Sequence, residues 1–160
     1  MTPFERAVEF VLAREGLYSY DPHDPGLETI YGISRRAHPN LAPWPPSRAE
    51  AIAIYKKEYW DEMRCSHMPP RVALMVFDAA VNQGAERACL MLQRAALVGA
   101  DGIIGPVTLA AVSAHPDETL ERLVAERCWT YAETRNYARY GRGWYARVAG
   151  ALITAVKGGD

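Results

Sequence analysis

Glu15 stands directly before Gly16, at the close of a segment patterned as a helix, and Asp21, Asp24 and Thr29 follow within the next stretch of chain. Two carboxyl groups, one neutral and one ionised, are the usual device for breaking a glycosidic bond: the neutral one protonates the leaving oxygen. Glu15 suits the neutral role. The negative end of the helix macrodipole and the adjacent aromatics Tyr18 and Tyr20 both disfavour an ionised carboxylate there. Asp21 and Asp24 are the candidates for the second carboxylate. Thr29 lies five positions beyond Asp24 and could share a water with it, an arrangement suited to inversion. The run Asp21-Pro22-His23-Asp24-Pro25-Gly26 also has a plainer reading. Asp bonds its own backbone, while Pro and Gly set turn angles, so both aspartates suit a turn-making role as well.

The elements that must position these groups are legible in the pattern. Thr2-Pro3-Phe4-Glu5 predicts a helix start, with Thr2 as cap, Pro3 in the first turn and Glu5 completing a capping box. Phe4, Val8, Val11 and Leu12 then share one face up to Gly16. The alternation around Tyr18 and Tyr20, the turn-rich run, and the β-branched and aromatic Thr29, Ile30, Tyr31 and Ile33 predict a small β-hairpin lobe. Ser47-Arg48-Ala49-Glu50 is a second capping box, opening a helix with Ile52, Tyr55, Tyr59 and Trp60. Residues 72 to 81 are apolar almost all round apart from Asp78, as a central buried helix should be. Further helices are expected over 85–97, 106–114 and 117–138, then a break at Gly141-Arg142-Gly143 and a last helix over 144–156. The fold class expected is mainly α, an α+β arrangement with a helical body and a small β-lobe after the first helix.

Eighteen basic residues nearly balance nineteen acidic ones, for a net charge of −1. That balance argues against nucleic acid or an anionic membrane as partner. At 160 residues the chain buries roughly two thirds of its unfolded surface and needs no metal or disulfide to fold. Cys65, Cys89 and Cys128 are odd in number, lack a C-x-x-C pair and have no zinc-type histidine spacing, so a disulfide framework is not expected and Cys128 reads as a buried thiol. No H-E-x-x-H, phosphate loop or dinucleotide fingerprint occurs, so neither a metal nor a cofactor is expected. The opening segment lacks the uninterrupted apolar core of a secretory signal, and no stretch is long enough to span a bilayer.

The run Arg14-Glu15-Gly16-Leu17-Tyr18, then Asp21-Pro22-His23-Asp24-Pro25-Gly26, then Glu28-Thr29-Ile30-Tyr31-Gly32-Ile33-Ser34 resembles the signature of glycoside hydrolase family 108. Tyr59-Trp60-Asp61, Phe77-Asp78-Ala79-Ala80-Val81-Asn82-Gln83-Gly84 and Gly143-Trp144-Tyr145-Ala146-Arg147-Val148 are similar to later features of that family. The resemblance implies a lysozyme-like N-acetylmuramidase, many examples being phage or prophage endolysins, with Glu15 catalytic. The set Glu15, Asp24 and Thr29 is also similar to the Glu-Asp-Thr set of phage-type lysozymes, which favours Asp24 over Asp21. Leu17, Leu27 and Ile30 depart from the family, where two glycines and an asparagine are usual; leucine cannot supply a glycine's positive φ or close backbone approach. Leu92-Gln93-Arg94 with Asp101-Gly102-Ile103-Ile104-Gly105-Pro106-Val107-Thr108 resembles peptidoglycan-binding helical modules. Each of these residues also has a sufficient turn or cap role: Gly102 and Gly105 in turns, Asp101 on backbone amides, Thr108 at the helix that Pro106 opens.

The organisation that follows is a catalytic region over residues 1–84 and a peptidoglycan-binding-like region over 85–160, packed as one unit. Substrate contacts are expected from Tyr18, Asp21, Tyr31 and Asn82, beside the catalytic Glu15, Asp24 and Thr29. Other aromatics suit sugar stacking, namely Trp44 and the group Tyr137, Tyr140, Trp144 and Tyr145; Tyr59 or Trp60 suits core packing. The expected partner is the peptidoglycan glycan strand, met by a monomer made in the cytoplasm and released to the wall through a holin-type pore. A lytic transglycosylase and a non-catalytic wall-binding or morphogenetic protein are the alternatives.

Overall fold

The computed structural model describes residues 1–16, 18–20 and 28–158. Asp21 and Asp24 fall outside the described residues, as do Leu17 and Leu27. Among the described residues the fold is mainly α, with seven α-helices and one three-stranded antiparallel sheet.

Helix α1 spans Pro3–Glu15 and opens on the expected capping box. The Glu5 amide donates to Thr2 Oγ1 at 3.2 Å, and the Thr2 amide donates to Glu5 Oε2 at 2.7 Å. The helix closes at Gly16, whose φ of 77° is a left-handed value that glycine adopts at little cost. The sheet comes next: β1 (Tyr18–Tyr20), β2 (Glu28–Ile30) and β3 (Ile33–Ser34), in that spatial order. Tyr18 faces Ile30, Ser19 faces Thr29 and Tyr20 faces Glu28, while Ile30 faces Ile33. The β2–β3 turn is Tyr31-Gly32, with φ of 52° and 78°. Positive φ at both central residues is what a tight two-residue hairpin requires, because it matches the twist of the flanking strands.

Helix α2 (Arg48–Tyr55) starts at the second capping box and runs into a π-helical stretch, Lys56–Asp61. The i→i+5 repeat of that stretch brings Tyr55 and Trp60, five residues apart, into the core together. Helix α3 (Pro70–Gln83) is the centre of the molecule: every residue from Val72 through Ala80 is buried, Asp78 included. Phe4 of α1, Trp60 and Phe77 of α3 meet edge to face, at centroid separations of 5.4 Å for Phe4–Trp60 and 5.6 Å for Trp60–Phe77. Such pairs add about 0.5–1.5 kcal/mol each beyond area burial, and here they tie α1 to the central helix.

Helices α4 (Ala85–Ala95), α5 (Pro106–Ala114), α6 (Pro116–Ala132) and α7 (Tyr137–Lys157) complete the body, with α4, α6 and α7 all packed on α3. Two boundaries differ from expectation. The helix expected to reach residue 138 ends at Ala132, and α7 runs without interruption through Gly141-Arg142-Gly143. These glycines do not break the helix. A Cβ at Gly141 would lie 2.6 Å from the Tyr137 ring, so glycine there admits an aromatic ring against the helix backbone. Cys128 is half-buried rather than buried, and all three cysteines carry free thiols. No helix among the described residues is long and apolar enough to cross a membrane.

The loop between α4 and α5 is organised by Gln93, which is 1% exposed. Its Nε2 donates to Asp101 Oδ1 at 2.7 Å, to the Ile103 carbonyl at 3.0 Å and to Thr108 Oγ1 at 3.3 Å. Its Oε1 accepts from the Gly102 amide at 2.9 Å. Asp101 Oδ1 also accepts from the Ile103 amide at 2.9 Å, as the turn reading of Asp101 requires. The L-Q … D-G-x-x-G-x-x-T pattern is therefore a hydrogen-bonded clasp, and buried Thr108 is one of its acceptors. Gln93→Leu keeps the volume and removes every one of these bonds. We expect it to cost about 1–3 kcal/mol, because buried donors and acceptors lose their partners. Denaturant melts of the two proteins check this, and equal midpoints would refute it.

Candidate active site

Glu15 is the last residue of α1, and its side chain is 24% exposed. Two elements hold it. From α7, Arg147 Nη1 donates to Glu15 Oε1 at 2.8 Å. From the β-lobe, the Tyr31-Gly32 turn lies directly against it: a Cβ on Gly32 would sit 2.9 Å from Glu15 Cγ and would also collide with the Tyr55 hydroxyl. Tyr55, buried on α2, donates its hydroxyl to the Tyr31 carbonyl at 2.9 Å and so pins the turn in place. Burial, reinforced by the charge of Glu15 and by Tyr59, pushes the Tyr55 phenol well above its ordinary pKa, which keeps it a donor. Tyr59 is shifted upward in the same way, by burial first and then by Glu58 and Glu15.

Arg147 is also held from behind. Its Nε donates to Asp78 Oδ1 at 2.8 Å, while the other Asp78 oxygen accepts from Arg127 Nη2 at 2.8 Å. Asp78 and Arg127 are both 0% exposed, and Arg147 is 11% exposed. Arg127 Nε continues the chain to Gln83 Oε1 at 2.8 Å. A continuous polar network therefore runs from Glu15 through Arg147, Asp78 and Arg127 to Gln83. Burial works against the Arg147 cation, but Asp78 and Glu15 more than offset it and raise its pKa.

The other expected site residues fall as follows. Thr29 is central in the sheet, paired with Ser19 on one side and Ser34 on the other, two positions before the turn that covers Glu15. Tyr31 supplies the turn carbonyl and packs partly against the core. Tyr18 is 61% exposed on β1. Asn82 lies one helical turn beyond Asp78 on α3 and accepts a hydrogen bond from the Tyr131 hydroxyl. With Gln83, Arg87, Thr130 and Trp144 it lines a cavity of about 140 Å³. Tyr131 and Trp144 stack there, with centroids 4.9 Å apart. Trp44 donates its indole N–H to Glu28 Oε2 at 2.6 Å, fixing the 39–46 loop to β2. A wider cavity of about 490 Å³ lies between Arg64, Cys89 and Ile103; Glu15 is not among its lining residues. No group of three metal-ligating side chains occurs among the described residues.

Asp78, Arg127, Arg147, Tyr55 and Gly32 were not singled out as site residues from sequence. Asp78 had a signal, as the one charge in the apolar run over residues 72 to 81, and Arg147 lies in a motif that carried the family resemblance. Gly32 yields a prediction. Gly32→Ala forces a left-handed φ on a residue with a Cβ, at about 1–3 kcal/mol, and drives the turn off Glu15 and Tyr55. We expect a melting temperature lower by several degrees, at about 2–4 °C per kcal/mol for a chain of this size. An unchanged melting curve would contradict this.

Glu15 is thus a carboxyl at a helix end, roofed by a hairpin turn and gripped by an arginine. Residues 8–84 match the family Glycosyl hydrolase 108, and residues 87–149 match the Predicted Peptidoglycan domain. The N-terminal region thus matches the model of glycosyl hydrolase family 108 and is followed by a region that matches a peptidoglycan-type domain, in the order that the motifs imply. The structure of Brucella abortus SagA is similar, with a TM-score of 0.85 and 29% sequence identity over 96% of this chain and 94% of that one. Comparison with the curated proteins gives no match. A peptidoglycan-acting glycosyl hydrolase is the class these findings support.

Proposed function

We propose that this protein hydrolyses the β-1,4 bond between N-acetylmuramic acid and N-acetylglucosamine in peptidoglycan, as a lysozyme-type N-acetylmuramidase. The observation that carries the reading is Glu15 itself, mostly buried, set at a helix end and clamped between the Tyr31-Gly32 turn and Arg147. In the reaction the Glu15 carboxyl gives its proton to the glycosidic oxygen, and the bond from that oxygen to the anomeric carbon breaks. Positive charge develops on the ring, and water adds to the anomeric carbon. Asp24, or Asp21 in its place, takes the proton of that water, and the Thr29 hydroxyl helps orient it. Glu15 is left as a carboxylate beside Arg147, which stabilises the charge it has just acquired.

Tyr18, Asp21, Tyr31 and Asn82 are the proposed contacts to the glycan. We take inversion as the stereochemical course, for which the two carboxyl groups stand roughly 6.5–9.5 Å apart. We further propose that the protein works as a monomer of endolysin type, made in the cytoplasm and delivered to the wall by a holin-type pore. The test is release of reducing ends from purified sacculi by the wild type, beside Glu15→Gln. Wild-type protein that sediments with sacculi and releases none would indicate a wall-binding protein.

A further inference from the structure

Arg147 lies on α7, within the stretch that matches the peptidoglycan-type domain, yet it contacts the carboxyl of Glu15 in the other region. We propose that Arg147 is a positioning residue for Glu15, so that the C-terminal region completes the active site. This rests on the hydrolase reading given above.

Three observations converge on it. First, two carboxylates engage different nitrogens of one guanidinium, Asp78 at Nε and Glu15 at Nη1, both at 2.8 Å. Contacts at two nitrogens fix the plane of the group, which a lysine ammonium on a flexible stem cannot reproduce. Second, Asp78 is itself anchored, because its second oxygen is taken by the fully buried Arg127, which also grips Gln83. The Arg147 head is thus located by the central helix, and Glu15 is located by Arg147. Third, Arg147 Nη2 is buried with no hydrogen-bond partner among the described residues. An unsatisfied buried donor costs stability, so an arrangement chosen for stability alone would not leave one here. Among the described residues, Arg147 from α7, Tyr55 from α2 and Tyr59 from the π-helical stretch face Glu15, and of these Arg147 bonds its carboxylate.

Holding a carboxyl in register with the bond it protonates matters greatly, since a displacement of about 1 Å costs on the order of 100-fold in rate. The experiment compares the wild type with Arg147→Lys and Arg147→Met. Turnover of sacculi is measured well below each protein's melting temperature, and the crystal structure of Arg147→Lys is determined. We expect both variants to lose on the order of 100-fold in kcat while KM changes by less than about threefold, as for a residue acting on the reacting group and not on binding. We also expect the Glu15 carboxyl to leave its place beneath Gly32 in the Arg147→Lys crystal. Wild-type kcat in Arg147→Lys, a loss confined to KM, or an unmoved Glu15 would each overturn the proposal. Absence of turnover by the wild type would count against the hydrolase reading, and the crystal would still decide whether Arg147 positions Glu15.

Discussion

Glu15→Gln is expected to lower the rate of sacculus digestion by about 100- to 10,000-fold, the range that a positioned general acid contributes. Glutamine has nearly the same shape and keeps an oxygen that can accept from Arg147, so the α1 end and the hairpin turn stay in place. It has no proton of carboxylic-acid strength to give to the leaving oxygen. The loss therefore falls on kcat, and the melting temperature moves by only a few degrees. That split distinguishes removal of the acid from collapse of the site. A variant that digests sacculi at the wild-type rate would remove Glu15 from the mechanism, whatever its position against Arg147 and Gly32.

Asp78→Asn has the largest expected effect on stability. Asp78 and Arg127 are fully buried and pair at 2.8 Å, and Asp78 also holds Arg147. The asparagine amide keeps one acceptor oxygen but no charge. Arg127 is then a cation in the core with no counter-ion, and removal of one partner from such a pair typically costs about 3–5 kcal/mol. For a chain of this length that corresponds to a melting temperature lower by on the order of 10 °C. Calorimetry or a thermal melt followed by circular dichroism checks it. The opposite result, a variant as stable as the wild type, would mean that water or another group readily satisfies Arg127, contrary to its complete burial.

The parts of the fold that could be read from sequence are those set by short-range rules. Thr2 with Glu5 and Ser47 with Glu50 are capping boxes three residues long, and both are present with both hydrogen bonds. The apolar run around Phe77 marked the central helix because an element buried on every side has no polar face to show. The β-lobe was legible from β-branched and turn residues, although its third strand comes from so few residues that a simple hairpin was the natural expectation. Gly141 and Gly143 misled, because glycine in a helix also serves close packing, and Tyr137 fills the room that Gly141 leaves. The Glu15–Arg147 pair was out of reach. Its partners are 132 residues apart, and nothing in local pattern links the end of the first helix to a residue in the last one. The charge of Asp78 in an apolar helix signalled a buried partner without saying which.

The most direct test of Glu15-driven hydrolysis is to digest sacculi in water enriched in heavy oxygen and to weigh the muropeptides released. The wild type is predicted to leave one heavy oxygen on every new muramic acid reducing end, and Glu15→Gln to leave almost none. New ends in the anhydro form, free of the label, would contradict hydrolysis and identify the reaction as a transglycosylation.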